Sequence, residues 1–455
     1  MKNIIDNQRS FFNTDKTKNI AFRIEQLKKL KLVLQQNEKR LYNAIYKDFK
    51  KSEFDTYTTE LALVFAQINE SIKNVEKWSK TKRVKTNAIN IPAASKVHPE
   101  PLGVALVIGA WNYPYLLTFS PAITAITAGC TVVLKPSELP FNTSNTITEV
   151  INNNFDADYF TAVEGGIPET SNLLAQKFDK IFFTGSEKVG RIVYQAAAKN
   201  LTPVTLELGG KSPAIITPSC NLKISAQRLV WGKFINSGQT CISPDYIVVH
   251  KSIKSKFITH IKAEIEKAHY SFNNHNYVQI INNEHFNRLI SLIDKDKIIL
   301  GGTSNKETRY IEPTVLDQVK FSDAVMQEEI FGPILPILDY EDLGQLLLKL
   351  KELPKPLAFY MFTENKEEER KALHQLSFGG GGINETVLHL ANPNFAFGGV
   401  GSSGLGAYHG YEGFKAFSHL RSVLHKPTWF ELKLKYYPRT ALKLKIIKSL
   451  LKVPF

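Results

Sequence analysis

From Val104 onward, apolar runs of strand length alternate with segments long enough to form helices. The runs read "VALVIGAW", "TVVLKP", "YFTAVEG" and "KIFFTG". None alternates apolar with polar residues, so each strand has both faces buried, and helices packed on both sides of a parallel sheet achieve that. The chain is predicted to be an α/β protein with its ligand at the carboxyl ends of these strands. A second α/β block follows "VTLELGGKSP": a strand at 245–250 ("DYIVVH"), a helix in "SIKSKFITHIKAEIEKA" and further alternation to about residue 395.

Ahead of both blocks the first eighty residues read as helical. Val64, Ile68, Ile72, Val75 and Trp78 fall on one helical stripe. The proline-bearing stretch 83–101 reads as an extended arm. A length of 455 residues with 43% hydrophobic content exceeds one ordinary core. Two closely packed domains sharing a cleft are expected.

Only three cysteines are present, too few for a disulfide framework or a four-ligand zinc site, and no residue cluster suggests a metal. The N-terminus lacks a signal-like apolar core and no stretch has the length of a membrane span, so the expected location is cytoplasmic. The net charge of +14 comes from lysines spread among 43 acidic residues, with no nucleic-acid-reading motif, so no nucleic-acid partner is expected. The tail from Lys426 is more pointed. Lys433, Lys435, Arg439, Lys443, Lys445, Lys448 and Lys452 interleave with Leu442, Ile446, Ile447, Leu450 and Leu451. That pattern suits weak peripheral contact with a membrane, or packing on the same or a partner subunit.

Several short segments carry candidate chemistry. Gly399-Val-Gly401-Ser-Ser-Gly404 fits G-x-G-x-x-G, but no strand leads into it and no long helix leaves it, so it reads as a structural turn. "KIFFTGSEKVGRIVYQAAA" has the right context instead: a buried strand, a Thr184-Gly185-Ser186 turn and a helix from near Glu187 that aims N–H groups at an anion. "LKPSE" ends a strand with Lys135 and Glu138, a cation and a carboxylate suited to ribose hydroxyls. Glu207, after an apolar strand and before two glycines, is either a buried base of raised pKa or a structural acid paired with Lys211. Asn112, where a strand gives way to a helix, suits an oxyanion donor or a helix cap. Cys241 closes the run Asn236-Ser237-Gly238-Gln239-Thr240, loop formers that would expose a thiol. It is either an inert residue or a nucleophile that needs activation.

In chain order, "AWNYP", "KPSE", "FTGSEKVG", "LELGGKSP", "GQTC", "EEIFGP" and "FGGVGSSG" resemble the motifs of the aldehyde dehydrogenase superfamily over nearly the whole chain. "CISPDY" and "AYHGYEGFKAFSHLRSV" look most like its class 3 branch of enzymes for fatty and aromatic aldehydes. The resemblance implies a Rossmann-like NAD(P)-binding domain (1–82 and 102–207), an α/β catalytic domain (208–395), and an oligomerisation arm with a C-terminal segment (83–101 and about 410–455) in a homodimer. It implies Cys241 as nucleophile, Asn112 as oxyanion donor and Glu207 as general base. Lys135 and Glu138 would meet the adenosine ribose, and Thr184, Gly185, Ser186, Val189, Gly190 and Leu208 the rest of the dinucleotide. Glu329 would hold the nicotinamide ribose and Phe331 would pack near its ring. Tyr113, Trp231 and His389 are the expected substrate lining. NAD is the expected cofactor, with NADP also accepted, and a small-molecule aldehyde the expected substrate. A CoA-acylating enzyme, a silent protein on the same fold and a Cys–His acyl hydrolase are the alternatives.

Overall fold

The computed structural model describes residues 1–450, and the predicted tail residues Leu451 and Lys452 lie outside them. The apolar runs become the central strands of a six-stranded sheet. Its order is Gly404–Leu405, Val204–Glu207, Lys180–Thr184, Val104–Ile108, Thr131–Lys135, Phe160–Ala162. Five strands run parallel, and the first joins antiparallel to Val204–Glu207. Val104–Ile108, Thr131–Lys135 and Lys180–Thr184 are buried at every position, as strands covered on both faces must be.

The second block forms a seven-stranded sheet in the order Ile298–Leu300, Thr314–Leu316, Ile334–Tyr340, Tyr246–His250, Pro213–Ile216, Ala358–Phe362, Gly380–Ile383. It too is parallel apart from its first pair. One hydrophobic cluster links the N-terminal helices, the first sheet and one face of the second.

The 83–101 stretch contributes strands Lys82–Val84 and Ala94–Pro101 to a third sheet. Its other member is Ser418–His425, antiparallel to Ala94–Pro101 along its whole length. The turn after Gly399 departs from purely local structure in one respect: its Gly404–Leu405 end reaches back across the chain to complete the first sheet. Helix Ala441–Leu450 leaves Leu442 and Leu444 exposed. Among the described residues no helix is long and apolar enough to cross a membrane.

Candidate active site

The strands of both sheets deliver their ends to one cleft of about 1350 Å³. Cys241, Asn112, Glu207 and Glu329 line it, together with Lys135, Glu138, Thr184, Gly185, Ser186, Val189, Leu208 and Phe331. Gly190 sits behind that lining, where a Cβ would press on the Leu208 side chain.

The Cys241 loop is fixed by its neighbours. Asn236 and Ser237 adopt left-handed backbone at φ 52° and 54°, uncommon for non-glycine residues. Asn236 Nδ2 donates to the carbonyls of Asn112 (3.0 Å) and Gln239 (3.1 Å), and Ser237 Oγ donates to Val278 O. Gln239 Nε2 donates to Asn236 O and Gln279 O, while its Oε1 accepts from Ile281 N. The loop formers of the sequence are therefore buried and locked, and Cys241 itself stays partly exposed. Its thiol is pushed up to about 12, by burial first and then by the carboxylates of Glu329 and Glu207. The histidine lining the same cleft, His285, packs against Trp111 at 5.2 Å between ring centroids.

Asn112 is buried and its Nδ2 donates to Gln239 O at 3.1 Å, which holds the amide beside the Cys241 loop. Glu207 ends its strand fully buried, and among the described residues neither carboxylate oxygen has a hydrogen-bond partner. Burial alone raises its pKa well above the usual carboxylate range. Lys211 is not its partner, contrary to one of the two sequence readings. Lys211 Nζ pairs with Asp245 Oδ2 at 2.5 Å and donates to the carbonyls of Val325 and Glu328. Glu207 closes a strand of the first sheet and Lys211 leads into the second, so the Gly209-Gly210 turn, with Gly210 at φ 138°, sends them apart.

The Glu329 loop is held by two residues that the sequence did not single out. Asp245 Oδ1 accepts from Ile330 N at 2.9 Å, and Arg288 donates to Glu328 Oε1 and to the carbonyls of Glu329 and Ile330. Burial, followed by the charge of Asp245, pushes Glu329 up to about 8. Phe331, at φ 52°, packs its ring on Trp111.

At the far end of the cleft, Ser186 Oγ caps helix Glu187–Ala198 by accepting from Val189 N, so free N–H groups and the positive helix end face the cavity. Lys135 is buried at its strand end, with Nζ donating to Pro136 O at 2.7 Å and lying 4.0 Å from Glu138. Burial holds the Lys135 ammonium below its ordinary range. Glu138 is about half exposed. An anion-binding helix end, a lysine–glutamate pair and the half-buried Glu329, spaced along one elongated cleft, fit a dinucleotide.

The three residues expected to meet substrate are not in the lining of this cleft. Tyr113 is buried beside the thiol loop, its hydroxyl 2.7 Å from Thr240 Oγ1. Trp231 is 42% exposed on helix Leu222–Phe234. His389 lines a separate cavity of about 310 Å³ with Phe395 and Phe397. Burial lowers its pKa to about 4.

The sequence matches the model of the aldehyde dehydrogenase family over residues 1–423. The chain belongs to the aldehyde dehydrogenase family. It is 45% identical to 4,4'-diaponeurosporen-aldehyde dehydrogenase of Staphylococcus aureus, with 98% of this chain and 97% of that protein covered. It is 44% identical to aldehyde dehydrogenase family 3 member A2 of Pongo abelii, covering 96% and 90%. The dimeric NADP-preferring aldehyde dehydrogenase of Mus musculus is 42% identical, with 93% and 94% covered. A solved structure of Staphylococcus aureus AldH in a substrate-bound state superposes with a TM-score of 0.96 at 44% identity, covering 99% of each chain. The fold is the aldehyde dehydrogenase fold, and this dehydrogenase oxidises aldehydes with NAD(P) as cofactor.

Proposed function

We propose that this dehydrogenase converts medium- or long-chain aliphatic or aromatic aldehydes to carboxylic acids through a covalent thioester on Cys241. The observation that carries the reading is the meeting of Cys241, Asn112 and an unpartnered, buried Glu207 in one dinucleotide-sized cleft. Sγ gives its proton to water in the cleft and bonds to the carbonyl carbon, whose π electron pair moves to the oxygen. Negative charge develops on the carbonyl oxygen, where the Asn112 amide and the Cys241 backbone N–H donate to it. Bound NAD(P) supplies the acceptor for the hydride that leaves this carbon. Glu207 then takes a proton from water as it attacks the thioester, releasing the acid and restoring the thiol. Its raised proton affinity suits that task, because a carboxylate of ordinary pKa is a weak base near neutral pH.

Lys135 and Glu138 are assigned to the adenosine ribose and Glu329 to the nicotinamide ribose. The charge of Glu138 disfavours a 2′-phosphate, but its half-exposed side chain is free to turn away, which supports NAD with NADP also accepted. The substrate class follows the resemblance to the class 3 branch, and the printed name of the Staphylococcus aureus relative specifies 4,4'-diaponeurosporen-aldehyde as the aldehyde of that enzyme. The printed name of the mouse relative and the long Ser418–His425 strand of the arm support a homodimer. Exposed Trp429, Tyr437 and Leu442 amid the tail lysines support weak peripheral contact with an anionic membrane. Sedimentation with phosphatidylglycerol vesicles that fails at low salt removes that last assignment.

The central reading is tested by following NADH formation from aliphatic aldehydes of increasing length and from aromatic ones, with and without CoA. Turnover without CoA is expected, and Cys241→Ala is expected to abolish it while NAD still binds. Strict dependence on CoA would instead establish the acylating chemistry, which has no use for the Glu207 base.

A further inference from the structure

Helix Pro114–Ala128 begins immediately after Asn112 and Tyr113, yet its first turn contains no acidic residue and Tyr113 supplies no side-chain cap. The missing cap comes from another element. Glu60, within the π-helical turn Tyr57–Leu61, accepts through Oε2 from the backbone N–H groups of Tyr115 (2.8 Å) and Leu116 (3.2 Å). Its Oε1 pairs with Lys51 Nζ at 2.7 Å, and both side chains are almost wholly buried. The same ammonium lies 4.2 Å from the centroid of the Tyr113 ring, whose hydroxyl bonds Thr240, the residue before Cys241. A buried ion pair is a poor source of net stability compared with apolar packing. This one has a specific geometry, fastening the strand-to-helix turn at two adjacent points.

We propose that Glu60, with Lys51 as its counter-ion, is a positioning residue that sets the turn carrying Asn112 and so aims its amide at the oxyanion. The inference rests on the reading of Asn112 as oxyanion donor. Neither Glu60 nor Lys51 lines the cleft, so both act through the turn. Glu60 brings negative charge to the helix N-terminus and accepts its first two free N–H groups. Lys51 fixes that carboxylate and packs on the ring of Tyr113.

The test compares full-length wild type, Glu60→Gln, Asn112→Ala and the double variant, with octanal and NAD. Gln keeps one acceptor oxygen for the helix N–H groups but places an NH2 where Lys51 Nζ donates, so kinetics are read at a temperature at which the circular dichroism of every variant matches that of wild type. Glu60→Gln is expected to lower kcat about tenfold with the KM for NAD within about twofold, and to lower it less than about twofold once Asn112 is already Ala. Lys51→Met is expected to follow the same pattern. A full multiplicative loss in the double variant overturns the inference while leaving the oxyanion role of Asn112 intact. An unchanged kcat in Asn112→Ala overturns that role and the inference with it. Variants of Glu60 and Lys51 that melt earlier but keep wild-type kcat reduce the pair to a structural one and also overturn it.

Discussion

Glu207, Glu329 and Cys241 all hold their protons more tightly than they would in water, and burial is the first cause for each. For Cys241 the two carboxylates add to the effect, which favours the neutral thiol over the thiolate. Alkylation by iodoacetamide should be slow near neutrality and accelerate roughly tenfold per pH unit below the thiol pKa. Glu329 becomes charged only above about 8, so Glu329→Gln should speed alkylation at alkaline pH and leave it unchanged in the acidic range. Equal rates for variant and wild type at alkaline pH would show that Glu329 does not act on the thiol. For Glu207 the expectation concerns timing. Glu207→Gln should preserve the first-turnover burst of NADH and depress the steady state by about a hundredfold, the scale of a lost general base. Stopped-flow absorbance separates the two phases, and loss of the burst itself would place Glu207 in the hydride-transfer step.

At the scale of elements, the Glu329 loop depends on Asp245, which accepts from Ile330 N and pairs with Lys211. Asp245→Ala leaves a mostly buried ammonium without its partner, and urea denaturation should report a loss of roughly 3–5 kcal/mol. The KM for NAD should rise more than the KM for aldehyde, because the loop that moves carries Glu329. Equal changes in both would place the effect in the fold alone. None of this was legible in the sequence, since Asp245, Lys211 and Arg288 come from separate elements and carry no local pattern of their own. Strand ends and the turns after them were legible, because buried strands show as unbroken apolar runs and an anion-binding helix start shows as Thr184-Gly185-Ser186. Whether Glu207 pairs with Lys211 stayed open in the sequence for a related reason: nearness along the chain says nothing once a two-glycine turn sends it from one sheet to the next. Where Tyr113, Trp231 and His389 sit was equally hidden. Tyr113 faces the Cys241 loop, and His389 follows Val387, a residue in positive-φ backbone whose direction no periodicity encodes.

For the molecule as a whole, the raised carboxylates make stability depend on pH. Glu329 has its folded pKa raised from an ordinary 4.5 to about 8, so its contribution is complete below the lower value and is lost as pH climbs through the higher one. The unliganded enzyme should therefore melt at progressively lower temperature as pH rises through this window, and Glu329→Gln should show a shallower decline. Parallel melting curves for the two proteins would mean that Glu329 is ionised throughout. The two-sheet architecture was readable from the alternation of runs and helical segments, but the route of the chain at its end was not. The antiparallel Gly404–Leu405 strand closes the edge of a sheet whose other members end by Glu207, with Gly404 directly opposite Glu207 and Leu208 N donating to Ser403 O. A ribosome releases this segment only after both sheets' other strands have emerged, so the edge beside Glu207 is completed by a pairing that spans nearly two hundred positions of the chain. A chain that ended before Gly404 would carry Cys241 but would leave the Val204–Glu207 strand as an open sheet edge.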